Sequence, residues 1–150
     1  MSTFYTEISL ENVRDRGIAK GGYIPADEVR AITLKAMPDT GAWLLVINEE
    51  TRQKLGLDIE GSMGASLADG SKRRYNLTEA VKICWQNRST IQQAILVPDA
   101  DDILLGALPL EAMDLMVDTV NETLVGVHGD EPLQKLKLSL PSHSALQQGV

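Results

Sequence analysis

The chain has 150 residues and a formal net charge of -7, with 43% hydrophobic and 23% charged residues. This length suits one domain with a single core, and the acidic balance argues against a nucleic-acid or anionic-membrane partner, because phosphate groups are bound by lysine and arginine. A lone cysteine, Cys84, excludes an internal disulfide. No signal peptide and no apolar run of about 20 residues is visible, so we expect a cytoplasmic location.

Strand patterns begin the chain. Apolar and polar residues alternate in residues 3–10 and again in residues 29–37, as they do in half-buried strands. Between them, three glycines and a proline at Gly17, Gly21, Gly22 and Pro25 indicate a loop. Residues 44–47 are continuously apolar, which predicts a strand buried on both faces.

Two short helices are predicted. The first covers residues 49–55, because Asn48 is a good N-cap, two glutamates follow it, and Gly56 suits the left-handed position after the last turn. The second covers residues 109–115, because Pro109 is tolerated in a first helical turn.

Short strands fill the rest of the pattern, at residues 63–67, 72–77, 81–85, 91–97, 116–120 and 123–127. Asp69-Gly70 is a favoured hairpin dipeptide between the first two, and Gln86-Asn87-Arg88 is the predicted turn before residues 91–97. With many strands and no βαβ rhythm, the chain is predicted to be an all-β, barrel-like domain over residues 1–128. Residues 129–150 form a predicted flexible extension, in which Leu136, Leu138 and Leu140 still alternate with polar residues.

The segment with chemical content runs from Ala36 to Ala42 and contains Asp39-Thr40-Gly41. A second segment, Ile103-Leu104-Leu105-Gly106, is followed by the second predicted helix. The two motifs and the order of the elements around them, from about residue 3 to residue 127, resemble the retropepsin-like aspartic proteases, particularly the small bacterial and cyanobacterial members.

This resemblance implies a retropepsin-like closed barrel with a flap hairpin and one or two short helices. It also implies an aspartic endopeptidase in which two carboxyl groups share one proton and activate a water molecule. The roles carried over are catalysis by Asp39, Thr40 and Gly41; substrate binding by Ala42, Trp43, Ala68, Asp69 and Gly70; and support of the site by Leu104, Leu105 and Gly106. Neither a metal nor another cofactor is implied.

A single Asp-Thr-Gly implies a homodimer, since the second carboxylate must come from another copy. In the family, terminal strands interleave at this interface, and the corresponding segments here are residues 4–10 and 123–127. Pro38 replaces the family's usual leucine or valine, and Trp43 stands where many members carry a polar residue.

Other interpretations stay open. The fold can also serve as a catalytically silent dimerisation or peptide-binding module. Cys84 with His128 or His143 would make a thiol hydrolase, although no local motif supports one. The aspartates at 99, 101 and 102 lack a ligand-spaced partner, which favours a solvated loop over a metal site.

Overall fold

The computed structural model describes residues 3–141, and strands dominate that part of the chain. The strands are β1 (Thr6–Asn12), β2 (Ala31–Pro38), β3 (Leu45–Ile47), β4 (Ile59–Ser66), β5 (Lys72–Thr78), β6 (Val81–Trp85), β7 (Arg88–Gln92), β8 (Ala94–Leu96), β9 (Ile103–Leu105), β10 (Leu115–Asp118) and β11 (Thr123–Gly126). The α-helices are α1 (Val13–Lys20), α2 (Glu49–Leu55) and α3 (Ala107–Ala112), and a 3-10 turn covers Ala26–Glu28. His143 and the predicted frayed end of the chain from residue 142 lie outside the described residues.

Nine strands form one curled sheet in the order β4-β5-β8-β3-β9-β2-β1-β6-β7, and β10 and β11 form a separate two-stranded sheet. The predicted all-β class is confirmed, and the β4–β5 hairpin stands at the predicted position. The large sheet is a half-barrel, because its terminal strands β4 and β7 do not pair with each other within residues 3–141.

The core lies inside the curl of this sheet. Alternation along β1 buries Ile8 and Leu10, and β3 is buried at all three positions, as its apolar run predicts. Leu55 and Leu57 flank the end of α2 and are also fully buried. No helix within residues 3–141 has the length and apolar character needed to cross a membrane.

The first helix is one that the sequence interpretation missed. Residues 13–20, predicted to be loop, form α1 despite Gly17. Asn12 accepts a hydrogen bond from the Asp15 N–H at 3.0 Å and so caps the helix. Asp15 is buried against Arg30. Capping and this tertiary ion pair outweigh the low helix propensity of a single glycine.

Two other boundaries also differ from the prediction. Residues 91–97 are split at Gln93 into β7, which pairs with β6, and β8, which lies between β3 and β5. The crossing is fixed by Thr78, whose backbone oxygen accepts from Gln93 and whose hydroxyl accepts from the Ala94 N–H. Arg88 belongs to β7, so only Gln86 and Asn87 form the turn before it.

The helix predictions differ in accuracy. Helix α2 has the predicted bounds, with Asn48 accepting from the Thr51 N–H at 2.9 Å and Gly56 in the left-handed conformation at φ 62°. Helix α3 begins two residues before the predicted start and ends at Ala112, because Asp114 takes a left-handed conformation and Leu115 already starts β10.

An ionic cluster joins α1 to the start of β2 and the end of α2. The guanidinium of Arg30 binds both carboxylate oxygens of Asp15, at 2.8 and 2.9 Å. Gly56 has a positive φ of 62°, which favours glycine, and a Cβ there would displace the Arg30 guanidinium from its position. Hydrogen bonds from Arg30, opposed by burial, lower the pKa of Asp15 from 3.8 to about 2.

We predict that Asp15 makes the stability of the protein fall in acid. Because its pKa is lowered in the folded state, its contribution is complete above about pH 4 and is lost as the pH falls toward 2. Asp15→Asn should lower the free energy of unfolding at pH 7 by about 2 kcal/mol and flatten its dependence between pH 4 and 2. Urea denaturation across this range measures both, with exposed Asp27→Asn as the control. Equal pH slopes in wild type and Asp15→Asn would contradict the prediction.

Candidate active site

The Asp-Thr-Gly loop leaves the end of β2 and is fixed by β9. Strand β9 lies between β2 and β3, parallel to β2 and antiparallel to β3. The Asp39 N–H donates to the backbone oxygen of Leu105 at 3.0 Å, which continues the β2–β9 ladder into the loop. The two predicted motifs, distant in sequence, therefore meet at one end of the sheet.

The loop also satisfies the first backbone donors of α3. The Ala107 N–H donates to the backbone oxygen of Ala42, and the Leu108 N–H to that of Trp43, both at 2.8 Å. These are two of the N–H groups that a helix start leaves without intrahelical partners. Because the Ala42 N–H also donates to the backbone oxygen of Asp39 at 3.1 Å, both the N–H and the carbonyl of Ala42 are hydrogen-bonded within the chain.

Gly106 is the point of closest contact between the two motifs. A Cβ there would lie 2.3 Å from the Leu44 oxygen, 2.7 Å from the Trp43 carbonyl carbon and 2.8 Å from the Ala42 oxygen. These neighbours are backbone atoms, which cannot rotate away as a flexible side chain can. The absence of a side chain at Gly106 is therefore what lets the loop rest on the end of β9.

Pro38 fits this arrangement without the loss of a ladder hydrogen bond. Successive backbone N–H groups of a strand point to opposite sides. Because the Asp39 N–H points toward β9, an N–H at residue 38 would point away from β9. On that other side, the pairing of β1 with β2 ends at Ala36. A proline at a strand end with no partner on its donor side costs no pairing.

The carboxyl group of Asp39 is half-buried and faces a groove of about 470 Å³. The Gly41 N–H donates to Asp39 Oδ1 at 2.9 Å, and Oδ2 has no hydrogen-bond partner within residues 3–141. Of the groove-lining residues, all within the described range, Asp39 alone is ionisable. The chain thus presents one oriented carboxyl group, one oxygen of which has no partner among residues 3–141.

The groove has a second wall that sequence reasoning did not identify. It is formed by Thr3 and Phe4 before β1 and by Val117 and Thr119 in and after β10. No local motif marks these residues, because only the folding of both ends of the domain toward the end of β2 places them beside Asp39.

The fold limits the pairing of residues 4–10 across the predicted dimer interface. Strand β1 is already bonded to β2 on one side and, from Ser9 to Asn12, to β6 on the other.

An internal ionic cluster holds this second wall in place. Arg88 is buried and donates to the backbone oxygens of Met113 and Asp114, at 3.0 and 2.8 Å. Asp114 Oδ1 lies 2.8 Å from His128 Nδ1, and Oδ2 accepts from the Leu133 N–H. Burial alone would raise the pKa of Asp114, but these hydrogen bonds and the charges of His128 and Arg88 lower it overall. The start of β10 is thereby fixed to β7 and to the segment after β11.

The other predicted site residues are exposed or lie apart from Asp39. Thr40 is exposed, and its hydroxyl makes no hydrogen bond to the described residues. Trp43 is 56% exposed. Ala68, Asp69 and Gly70 lie at the tip of the β4–β5 hairpin, where Asp69 binds Ser71 and Gly70 has φ 85°. Within residues 3–141, no hydrogen bond or ion pair links this tip to the Asp39 loop, and its role in substrate binding stays a prediction.

The described residues give little support to the thiol-hydrolase and metal-site interpretations. Cys84 pairs with Ser9 in the sheet, whereas His128 binds Asp114, so these two residues do not form a catalytic pair. Asp102 accepts a hydrogen bond from the Tyr5 hydroxyl at 2.8 Å. Across residues 3–141, no group of three or more histidine, cysteine, aspartate or glutamate residues is arranged to hold a metal ion.

Comparison with known proteins finds similarity in structure but not in sequence. No family model matches the chain, and no curated protein matches it. A crystal structure of a retropepsin-like aspartic protease from Rickettsia conorii superposes with a TM-score of 0.46 and 21% sequence identity, covering 82% of this chain and 91% of that one. At this level the similarity assigns neither an activity nor site residues to this chain.

Gly106→Ala tests the close contact between the motifs. The added methyl group has backbone on three sides, so either the loop or β9 must move. Overpacking of this kind costs about 1–3 kcal/mol, and we predict a loss of that size in the free energy of unfolding. Gly17→Ala is the matched control, because its Cβ would meet nothing within 4 Å and alanine favours the helix. Chemical denaturation of the wild type and of both variants measures this loss. A Gly106→Ala protein as stable as the wild type would refute the packing argument.

Proposed function

We propose that this protein is an aspartic endopeptidase in which Asp39 is the catalytic residue. The observation that carries the proposal is the Gly41 N–H donating to Asp39 Oδ1, while Oδ2 has no partner among the described residues and the carboxyl group faces a groove. The free oxygen can take a proton from a water molecule.

Peptide hydrolysis by this route needs two carboxyl groups. One is ionised and removes a proton from water, and the other is protonated and polarises the carbonyl oxygen of the scissile bond. Two carboxylates a few ångströms apart cannot both ionise, so one proton is shared and the pair titrates as a unit. Since Asp39 is the one ionisable group among the described residues that line the groove, we propose that the second carboxyl is Asp39 of another copy, related by twofold symmetry.

Thr40 and Trp43 have roles that follow from this dimer. The exposed Thr40 hydroxyl is free to bond to the partner loop and hold the two carboxyl groups in one plane. The exposed indole of Trp43, four residues after Asp39, offers a large apolar surface and one N–H donor but no acceptor for a substrate amide. We propose that it favours substrates with bulky apolar residues beside the scissile bond.

Asp39→Asn tests the proposed catalytic role. Asparagine keeps the oxygen that accepts from Gly41 but cannot ionise, so hydrolysis of an unstructured peptide library should be lost while the fold and the dimer persist. Exposed Asp27→Asn is the matched control and should retain wild-type activity. Activity of Asp39→Asn near that of wild type would refute the proposal. A wild-type protein that binds peptides without cleaving them would favour the silent binding module.

Mixing the two proteins tests whether the dyad is shared. If each site uses Asp39 from both copies, an equal amount of Asp39→Asn protein draws about half of the wild-type protomers into inactive heterodimers. The hydrolysis rate at constant wild-type concentration should then fall by about half after subunit exchange. A rate unchanged by mixing, although exchange is demonstrated with labelled protomers, would mean that each protomer carries a complete site.

Substitutions of Trp43 test substrate selection. Trp43→Ala should mainly raise KM, because it removes a contact made equally to substrate and transition state. Trp43→Asp should shift the cleavage preference toward polar flanking residues. Tyr23→Ala removes an aromatic residue that is 85% exposed on the turn after α1 and serves as the control. Cleavage profiles that do not change, together with a loss of thermal stability, would make Trp43 a structural residue.

A further inference from the structure

A groove of about 370 Å³ lies between α1 and the strands β1, β6 and β7, and we call it the lysine groove. Three paired residues, one from each strand, line its sheet side, namely Glu11, Lys82 and Ile91. Paired residues share one face of a sheet, and the alternate positions Leu10 and Ile83 are buried in the core. The lysine groove therefore lies on the face that is turned away from the core. Helix α1 forms its other wall with Val13, Arg16, Gly17 and Lys20.

The lysine groove carries an excess of positive charge. Its one acidic residue within the described range, Glu11, is bound by Arg16, which donates to the two carboxylate oxygens at 2.5 and 3.2 Å. Lys20 and Lys82 form no ion pair within residues 3–141. Two ammonium groups are thus left without a carboxylate partner there, although the whole chain has a net charge of -7.

Both lysines act on the space between the helix and the sheet. Hydrogen bonds from Arg16 lower the pKa of Glu11, burial opposes this, and the charges of Lys82 and Lys20 lower it further. Lys82 is also half-buried, and a cation partly removed from water is stabilised by an opposite charge. Because Glu11 is already engaged with Arg16, an anionic ligand would supply that charge.

Apolar surface lies beside these cations. Ile91, next to Lys82 in the sheet, is 56% exposed, and Val13 on α1 is half-buried. Gly17 leaves the helix side open, because a Cβ there would meet nothing within 4 Å. A ligand that fits this surface combines carboxylates with an apolar group.

A protein segment offers this combination, because acidic and apolar side chains adjoin in a peptide. A nucleic acid presents a phosphate at every nucleotide, and a chain with a net charge of -7 repels such a polyanion. A small polycarboxylate such as citrate has no apolar side chain to cover Ile91. We propose that the lysine groove binds an acidic segment of another protein, with carboxylates on Lys20 and Lys82 and an apolar side chain on Ile91.

The lysine groove is separate from the Asp39 groove, and the two share no lining residue. Strand β1 pairs with Ala36 at Thr6, near the Asp-Thr-Gly loop, and with Ala31 at Glu11. These two points on β1 are about 17 Å apart, at roughly 3.3 Å per residue. A segment bound in the lysine groove leaves the Asp39 groove open, so this inference goes beyond the proposed function and does not depend on it.

Peptide binding to the Asp39→Asn protein tests the proposal without cleavage of the probe. The probe is a fluorescein-labelled peptide built from the repeat Glu-Leu-Glu, and its counterpart has glutamine in place of each glutamate. Fluorescence anisotropy at low ionic strength should show that the acidic peptide binds at least about tenfold more tightly than the glutamine peptide. Added salt should reduce this difference, because it screens the charges.

Removing the two lysine charges should abolish the preference. Lys20→Gln with Lys82→Gln should raise the Kd of the acidic peptide at least about tenfold, whereas Lys20→Arg with Lys82→Arg should change it less than about twofold. Lys72→Gln with Arg73→Gln removes two exposed charges from β5 and is the matched control. Lys20→Gln alone changes an exposed residue and should still weaken binding several-fold, which separates loss of contact from loss of folding.

The apolar contact and the location of the peptide are tested separately. Ile91→Ser should raise the Kd of the acidic peptide about threefold or more, because it removes apolar contact area. In spectra of backbone amides, the chemical-shift changes caused by the acidic peptide should fall in residues 11–20, 81–83 and 90–92 rather than around residue 39.

Several outcomes would overturn the inference. Equal affinities for the two peptides, an equal loss of affinity in the Lys72 and Arg73 control, or shift changes confined to another surface would each do so. Oligothymidylate or citrate that displaces the probe at a lower concentration than unlabelled acidic peptide would identify a nucleic acid or a small anion as the occupant instead. The expected results in a protein that hydrolyses no peptide would leave the inference standing, since it requires no catalysis.

Discussion

The contact between Gly106 and the Asp-Thr-Gly loop is the constraint on which the site depends. Strand β9 is inserted between β2 and β3, and its end must lie against the backbone of residues 42–44. A side chain at Gly106 would collide with three backbone atoms there. With glycine in place, Leu105 accepts from Asp39 and the loop carbonyls accept from the start of α3, so one close approach orders the loop, the strand and the helix together.

Two ionic clusters connect these elements to the rest of the domain. The ion pair of Asp15 and Arg30 connects α1 to β2, and the Arg30 guanidinium lies next to Gly56 at the end of α2. Arg88 and Asp114 tie β7 to the start of β10 and to the backbone at residue 133. In both clusters the carboxylate is buried and multiply hydrogen-bonded, which is the condition under which an internal charge is tolerated. The second cluster matters for the site, because it positions the strand that forms the far wall of the Asp39 groove.

The candidate site lies beside the β10–β11 hairpin. The groove at Asp39 is lined from one side by the end of β2 and from the other by residues near the start of β1 and in the β10 region. Among residues 3–141, Asp39 Oδ2 has no hydrogen-bond partner, no other ionisable residue lines the groove, and the adjoining β10–β11 hairpin has no third strand.

Local sequence rules determined several parts of this protein without help from tertiary structure. Asn48 and Gly56 fixed α2, because a capping side chain and a left-handed glycine act within one helix. Alternation predicted β1 and β2, the Asp69-Gly70 dipeptide predicted the β4–β5 hairpin, and the Asp39 and Gly106 motifs indicated the segments that meet. The predictions that were wrong concern elements that are fixed by residues far away in the sequence. Asp15 stabilises α1 through Arg30, Thr78 divides residues 91–97 into two strands, and the loop carbonyls set the start of α3. Tertiary structure alone also decided the second wall of the groove. Phe4 and Val117 are more than a hundred residues apart in the sequence, and they become neighbours of Asp39 only when the sheet and the hairpin between these two positions have packed together.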